Sequence, residues 1–164
     1  MKRVAWIGIA LTIPLLAWAQ SPGIELYKQG KHAEAASVLA KEVQKSPDNK
    51  ELLTYLGLAR IHAGDPGGAL EPLKKAVAID GEYAEARFGI GLAYVKMKNL
   101  GEAIPELDKA TKLDPNHAYA HYNLGMAYNQ TDKKALSIAH LRRFVELAPD
   151  APEAPAVRSF LSKI

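Results

Sequence analysis

The chain has 164 residues, of which 48% are hydrophobic and 24% are charged, close to the average for globular proteins. This composition excludes a disordered or collagen-like chain, and the length fits one domain or a short array of repeats. The formal net charge of +3 includes Lys2 and Arg3, so the rest of the chain lacks the basic excess that binding to nucleic acid requires. The absence of cysteine excludes a disulfide scaffold, a thiolate zinc site and a thiol nucleophile.

The segment 1–19 has the organisation of a secretory signal peptide. A cationic pair at positions 2–3 precedes the uncharged stretch Val4–Ala17, and Ala17-Trp18-Ala19 supplies the small-x-small pattern of a cleavage site. The stretch is shorter than the roughly 20 residues of a membrane-spanning helix, and Pro14 interrupts it. We therefore predict a bacterial protein that is exported, either periplasmic or secreted. The alternative is that the segment 1–19 remains as an N-terminal membrane anchor.

The sequence after the predicted signal peptide repeats with a constant period. Gly57, Gly91 and Gly125, for example, are equally spaced. Small residues recur at two positions of this period, leucine recurs at a third, and a proline or glycine closes each unit. Self-similarity at a period of about 34 residues is typical of solenoids built from helical units. The residues in register are Gly57, Gly91 and Gly125; Ala35, Ala69, Ala103 and Ser137; Leu39, Leu73, Leu107 and Leu141; and Pro47, Gly81, Pro115 and Pro149.

Each unit has the pattern of two helices joined by a tight turn. In the unit that contains Gly57, apolar residues at helical spacing occur on both sides of a break at residues 64–67. Asp65 suits the N-cap of the second helix, and Pro66 suits its first position. Glycine inside a helix costs about 0.5–1 kcal/mol relative to alanine. We therefore predict that the helical glycines allow close approach of the partner helix, through the small residues Ala69, Ala103 and Ser137.

These units resemble tetratricopeptide repeats. The match is fullest in Ile90-Gly91-Leu92-Ala93-Tyr94 and in Leu113-Asp114-Pro115, and it is nearly as good in Tyr122–Tyr128. The resemblance implies an all-α fold, a right-handed α-solenoid of helical hairpins that a C-terminal capping helix completes. The expected organisation is a signal peptide at 1–19 and a repeat domain at 20–164, with a partial unit at 21–49, repeats at 50–83, 84–117 and 118–151, and the capping helix at 152–164.

The two ends of the predicted array depart from the repeat. Ser21–Pro47 is only a partial unit, because its first helix is cut short by the signal junction, and Glu42 stands where a small residue is expected. At the other end, a stripe with the spacing i, i+3, i+4, i+7 predicts a helix that covers the last hairpin. Disorder is the alternative for this tail, and its two prolines favour that alternative. The stripe consists of Val157, Phe160, Leu161 and Ile164.

No arrangement of residues in the sequence points to catalysis. The chain lacks a Gly-x-Ser-x-Gly elbow, a Gly-rich phosphate loop and an evident acid–base pair. His117 and His121 are close enough in sequence to share a helix face, but no third His or Cys at a matching spacing completes a zinc site. His32, His62 and His140 show no partner in the sequence. We predict a protein that is not an enzyme and that holds no metal or cofactor.

The resemblance also implies a binding surface, because the first helices of tetratricopeptide hairpins line the concave face of the array. The corresponding positions here lack the Lys, Arg and Asn residues with which well-known members clamp the carboxylates of chaperone tails. They form an apolar and aromatic strip, which suits a hydrophobic peptide or an amphipathic helix. The predicted partner-contacting residues are Thr54, Leu58, Phe88, Leu92, Lys96, Tyr119, Tyr122, Met126 and Asn129.

Two functions follow from this strip. The first is a non-catalytic interaction module whose partner is a protein or peptide. The alternative is a structural or oligomeric subunit of a cell-envelope assembly, in which the chain itself or a second copy fills the strip. We expect no nucleic-acid partner, no small-molecule substrate, and membrane contact only through an uncleaved signal segment.

Overall fold

The computed structural model describes residues 21–164, and the predicted signal peptide at 1–19 lies outside the described residues. The described part contains nine α-helices and no strand. Within it, every helix is too short or too polar to cross a bilayer. The helices are α1 (Pro22–Lys28), α2 (His32–Lys45), α3 (Lys50–His62), α4 (Pro66–Ile79), α5 (Ala84–Lys96), α6 (Leu100–Leu113), α7 (Ala118–Gln130), α8 (Lys134–Leu147) and α9 (Ala154–Leu161).

Consecutive helices pair into four hairpins, α1–α2, α3–α4, α5–α6 and α7–α8, and α9 packs against α8. The first helices of adjacent hairpins also contact one another, whereas their second helices do not. The array therefore curves with the first helices on its inner face. This arrangement confirms the predicted right-handed α-solenoid with a C-terminal capping helix.

The two helices of each hairpin meet where a glycine faces a leucine. A Cβ atom added at Gly91 would lie 2.6 Å from Cγ of Leu107 and 3.2 Å from its backbone nitrogen. Gly57 and Gly125 face Leu73 and Leu141 in the same way. The predicted close approach of the two helices is confirmed. The atoms nearest to each glycine belong to the leucine one helical turn beyond the small residue.

The first hairpin contains the same contact, at a glycine that was missing from the predicted register. A Cβ atom at Gly23 would lie 2.5 Å from Cγ of Leu39. Gly23 precedes Gly57 by one full period and therefore belongs to the same register. The partial unit thus keeps its closest interhelix contact although α1 has only seven residues.

Glu42 occupies the space beside the start of the short helix α1. Its carboxylate accepts a hydrogen bond from the hydroxyl group of Ser21, and its Oε1 accepts one from the backbone N–H of Gly23 at 3.3 Å. The Ser21 oxygen in turn accepts from the N–H of Ile24 at 3.1 Å. The carboxylate of Glu42 thus accepts hydrogen bonds from donors at the N-terminus of α1. This explains why a charged residue stands where a small residue is expected.

Every turn within a hairpin contains one residue in the left-handed region. These residues have φ values of 77° at Gly30, 93° at Gly64, 60° at Lys98 and 57° at Asp132. Each is one period from the next, so they form a further register of the repeat. The sequence pattern concealed this register because only its first two members are glycine.

The capping helix α9 begins at Ala154 and covers the last hairpin. Ala154 and Val157 are buried in one cluster with Leu141 and Phe144 of α8. The predicted stripe was wrong at its last position, since α9 ends at Leu161 and Ile164 is 66% exposed. The helix therefore ends before the C-terminus of the predicted range 152–164.

Candidate functional site

The inner face of the array contains an open groove of about 460 Å³. Side chains from α1, α3, α5 and α7 line it, together with the residues that directly precede α7 and α9. Because the first helices stack side by side, residues separated by one or two units meet in the same groove. The lining residues are Tyr27, His62, Glu85, Phe88, Leu92, Lys96, His117, Tyr119, Tyr122, Asn123 and Glu153.

The structure places the nine predicted contact residues in three different environments. Two of them are removed from any surface that a partner can reach: Thr54 is 0% exposed and Leu58 is 2% exposed. The Thr54 hydroxyl donates to the Lys50 carbonyl oxygen at 2.8 Å. The expectation that they contact a partner is corrected, because α3 packs against helices on both sides, including α1, α4 and α5. Five predicted residues line the groove, namely Phe88, Leu92, Lys96, Tyr119 and Tyr122, and two line a neighbouring cleft, namely Met126 and Asn129.

The aromatic floor of the groove also belongs to the packing of the fold. Phe88 is only 8% exposed, and its ring centroid lies 4.4 Å from that of His117. The Tyr122 ring lies 4.9 Å from the ring of Phe144, a fully buried residue of α8. Tyr119, which is 41% exposed, is the more accessible aromatic side chain. Its ring lies 5.9 Å from that of Phe144, so Tyr119 is the groove aromatic at which contact with a partner is tested with the least loss of packing.

One edge of the groove is acidic, and a histidine holds one of its carboxylates in place. The N–H of Ala120 donates to Nδ1 of His117 at 3.1 Å, so Nε2 carries the proton and donates to Glu85 at 3.0 Å. Glu153 accepts a hydrogen bond from the Tyr119 hydroxyl group at 3.3 Å. His117 is thus used in capping α7 and in binding a carboxylate.

The tyrosines beside this edge stay protonated far above neutral pH. Burial, and next the charge of Glu85, raise the pKa of Tyr27 to about 12. Burial, followed by the charge of Glu153, raises the pKa of both Tyr119 and Tyr122. The groove therefore presents neutral phenol groups next to the carboxylates of Glu85 and Glu153.

Two histidine pairs were missed in the sequence because their members lie on different helices. His32 and His62 stack with ring centroids 4.8 Å apart, and His121 and His140 approach to 2.9 Å between their Nδ1 atoms. Burial lowers the pKa of His62, His121 and His140. His117 and His121 have separate partners, and residues 21–164 contain no group of three or more side chains able to hold a metal ion.

A second, smaller cleft of about 230 Å³ opens beside the groove. It lies between α7, α8 and the capping helix α9, and Tyr122 and Glu153 line both the cleft and the groove. The predicted binding surface did not include α9, so this cleft was missed. Its lining residues are Tyr122, Met126, Asn129, Leu141, Glu153, Ala156, Val157 and Phe160.

Comparison with solved structures finds similar arrays of helical hairpins. A crystal structure of MamA is 26% identical with a TM-score of 0.71, and the alignment covers 88% of this chain and 84% of MamA. YrrB, described as a TPR protein with an unusual peptide-binding site, is 26% identical with a TM-score of 0.67, covering 84% of this chain and 71% of YrrB. TTC0263 from Thermus thermophilus is 24% identical with a TM-score of 0.71, and the alignment covers 86% of this chain and 76% of TTC0263. This similarity shows that the two chains share a fold.

Comparison by sequence gives two results. No match is found among curated proteins. The family model of the tetratricopeptide repeat matches residues 23–84 and again residues 88–152, which together include most of the described helices. The chain therefore belongs to the tetratricopeptide repeat family.

Proposed function

We propose that this protein is an exported, non-catalytic interaction module that binds a peptide segment of a partner protein in its concave groove. The observation that carries the proposal is the open groove of about 460 Å³, with neutral phenol groups and charged side chains at its rim. Tyrosine is enriched among the residues that dominate binding energy at protein interfaces. The similarity to YrrB supports the same function, since that protein is described as having a peptide-binding site.

The groove is tested by selecting peptides from a random-peptide phage library on the purified protein. The double variant Tyr119→Ser with Lys96→Ser removes two accessible groove side chains, and we expect it to raise the Kd of selected peptides about tenfold or more. The matched control is Leu136→Ser with Lys134→Ser, which removes an exposed apolar residue and a cation from α8. Equal loss in both variants, or no selected peptide, would overturn groove binding.

The alternative is a structural subunit whose groove is occupied by a second copy. Sedimentation equilibrium of the purified protein separates the two functions. A monomer over the whole concentration range favours the peptide-binding module. An oligomer that the groove double variant dissociates favours the subunit.

Export is tested by fluorescence, because both tryptophans, Trp6 and Trp18, lie in the proposed signal peptide. Protein recovered from the native compartment should show tyrosine emission without indole emission. Indole emission from that material would mean that the segment is retained.

A further inference from the structure

The cleft beside α9 has the size and lining of a pocket for one apolar side chain. Its volume is about 230 Å³, and Leu141, Met126 and Val157 form much of its wall. An apolar cavity of roughly 150 Å³ holds benzene, whereas drug-sized ligands occupy about 300–1,000 Å³. The cleft therefore fits a single aromatic or branched aliphatic side chain better than a whole small molecule.

The cleft adjoins the groove. Tyr122 and Glu153 line both, so a chain lying in the groove reaches the cleft by inserting one side chain. The capping helix supplies the outer wall through Ala156, Val157 and Phe160. The end of the array thus shapes the site as well as covering the core.

The rim between cleft and groove carries negative charge. Within residues 21–164, Glu153 takes part in no ion pair, and its contact is the neutral Tyr119 hydroxyl group. Glu85 faces the same groove, and its carboxylate accepts a hydrogen bond from Nε2 of His117. Lys96 lies at the opposite end of α5 from Glu85, roughly 16 Å away at a rise of about 1.5 Å per residue, too distant to neutralise it. A cationic side chain on the bound partner segment complements the negative charge of this rim.

We propose that the cleft is the specificity pocket of the groove, and that it takes a bulky apolar side chain from a partner segment carrying Lys or Arg beside that side chain. The cation lies against Glu153 and the face of Tyr119, where charge attraction and a cation–π contact act together. This inference rests on the proposed function, since the pocket selects among peptides that the groove holds.

The pocket is tested by filling it from α9. Ala156 is an exposed residue on the cleft wall, so Ala156→Met adds bulk there without removing a packing contact. The matched control is Ser159→Met, an exposed residue of the same helix that does not line the cleft. For peptides selected from the random library, we expect Ala156→Met to raise Kd at least about tenfold, or about 1.4 kcal/mol, and Ser159→Met to leave it unchanged.

The charge requirement is tested with Glu153→Gln, which keeps the shape of the side chain. Selected peptides should be enriched in an aromatic residue or leucine next to Lys or Arg, and Glu153→Gln should weaken them at low salt more than at high salt. Circular dichroism melting confirms that each variant is folded.

Each outcome distinguishes the pocket from the groove. Peptides that lose affinity in the Tyr119→Ser, Lys96→Ser variant but bind Ala156→Met at full strength overturn the pocket and leave the groove function intact. Selected peptides without the apolar–basic pair overturn the predicted partner chemistry. Failure to select any peptide overturns the proposed function and the pocket together. An oligomer that Ala156→Met dissociates overturns both as well, because a second copy of the chain then fills the cleft.

Discussion

Gly91 lies at the point where α5 crosses α6, and the structure leaves no room there for a side chain. Even a methyl group would lie 2.6 Å from Cγ of Leu107 and close to its backbone. We expect Gly91→Ala to lower the free energy of unfolding by about 1–3 kcal/mol, because the helices must separate. Thermal or urea unfolding measures this difference.

The matched control for Gly91 is another helical glycine with open space around it. A Cβ atom at Gly101 would meet only the Asn99 side-chain oxygen, at 3.7 Å. Gly101→Ala should therefore be neutral or stabilise by up to about 1 kcal/mol through helix propensity. If both variants change stability alike, the glycine–leucine contact is not what holds the hairpin closed.

The pair formed by His121 and His140 makes stability depend on pH. Nε2 of His121 lies 3.2 Å from the Pro115 carbonyl oxygen and must carry a proton, so in the neutral ring Nδ1 accepts from His140. Burial is the main cause that lowers the pKa of both rings. The hydrogen bond to the Pro115 carbonyl opposes this for His121, and the charge of Asp108 opposes it for His140. A proton on Nδ1 of His121 would oppose the donor of His140.

The sign of the pH effect follows from these lowered pKa values. The unfolded chain takes up protons below its ordinary histidine pKa of about 6.5, while the folded chain resists them. The stabilisation is therefore complete above about pH 6.5 and is lost as the pH falls towards the folded pKa values. We expect Tm to fall between about pH 7 and pH 5, and His140→Asn, which keeps a donor but does not titrate, to flatten this dependence. An unchanged slope in the variant would assign the effect to other groups.

At the scale of the helix, α1 depends on a side chain from its neighbour. Glu42 of α2 accepts hydrogen bonds from Ser21 and Gly23 at the start of α1. Replacing an N-terminal capping residue typically costs about 0.5–2 kcal/mol. We expect Glu42→Ala to destabilise the protein by about this amount and to speed hydrogen exchange in α1 first. Lys41→Ala, at an exposed position of α2, serves as the control and should change neither.

The helices themselves were predictable because local spacing encodes them. The predicted break at residues 64–67 includes the start of α4, with Asp65 as the N-cap and Pro66 as the first residue of the helix. The end of α9 was not predictable from spacing, because Ile164 continues the apolar stripe but has no neighbour to cover it. A stripe shows which face of a helix is apolar, and tertiary packing decides how much of that face is buried.

For the whole molecule, the constant period predicted the solenoid, since similar units stack on one another in the same way along the array. The period predicted the groove less well, because it treats the units as equivalent. Thr54 and Tyr122 occupy the same position of their units, yet Thr54 is buried and Tyr122 lines both the groove and the cleft. Each unit meets different neighbours, and α9, which is not part of the repeat, forms one wall of the cleft. The two histidine pairs lie on consecutive helices, and they were not predicted because the period does not show which side chains of two helices face each other.

Each hairpin turn contains one residue in the left-handed region, and in the second half of the array a substitution at this position can raise the thermal stability. Glycine fills this position in the first two turns, whereas Lys98 adopts φ of 60° and Asp132 adopts φ of 57°. Lysine is strained in this conformation, while aspartate tolerates it better. Lys98→Gly should therefore raise Tm by about 2–4 °C, with a smaller gain for Asp132→Gly. The heat resistance of this protein can thus be raised at turn residues that do not line the groove, without a new contact.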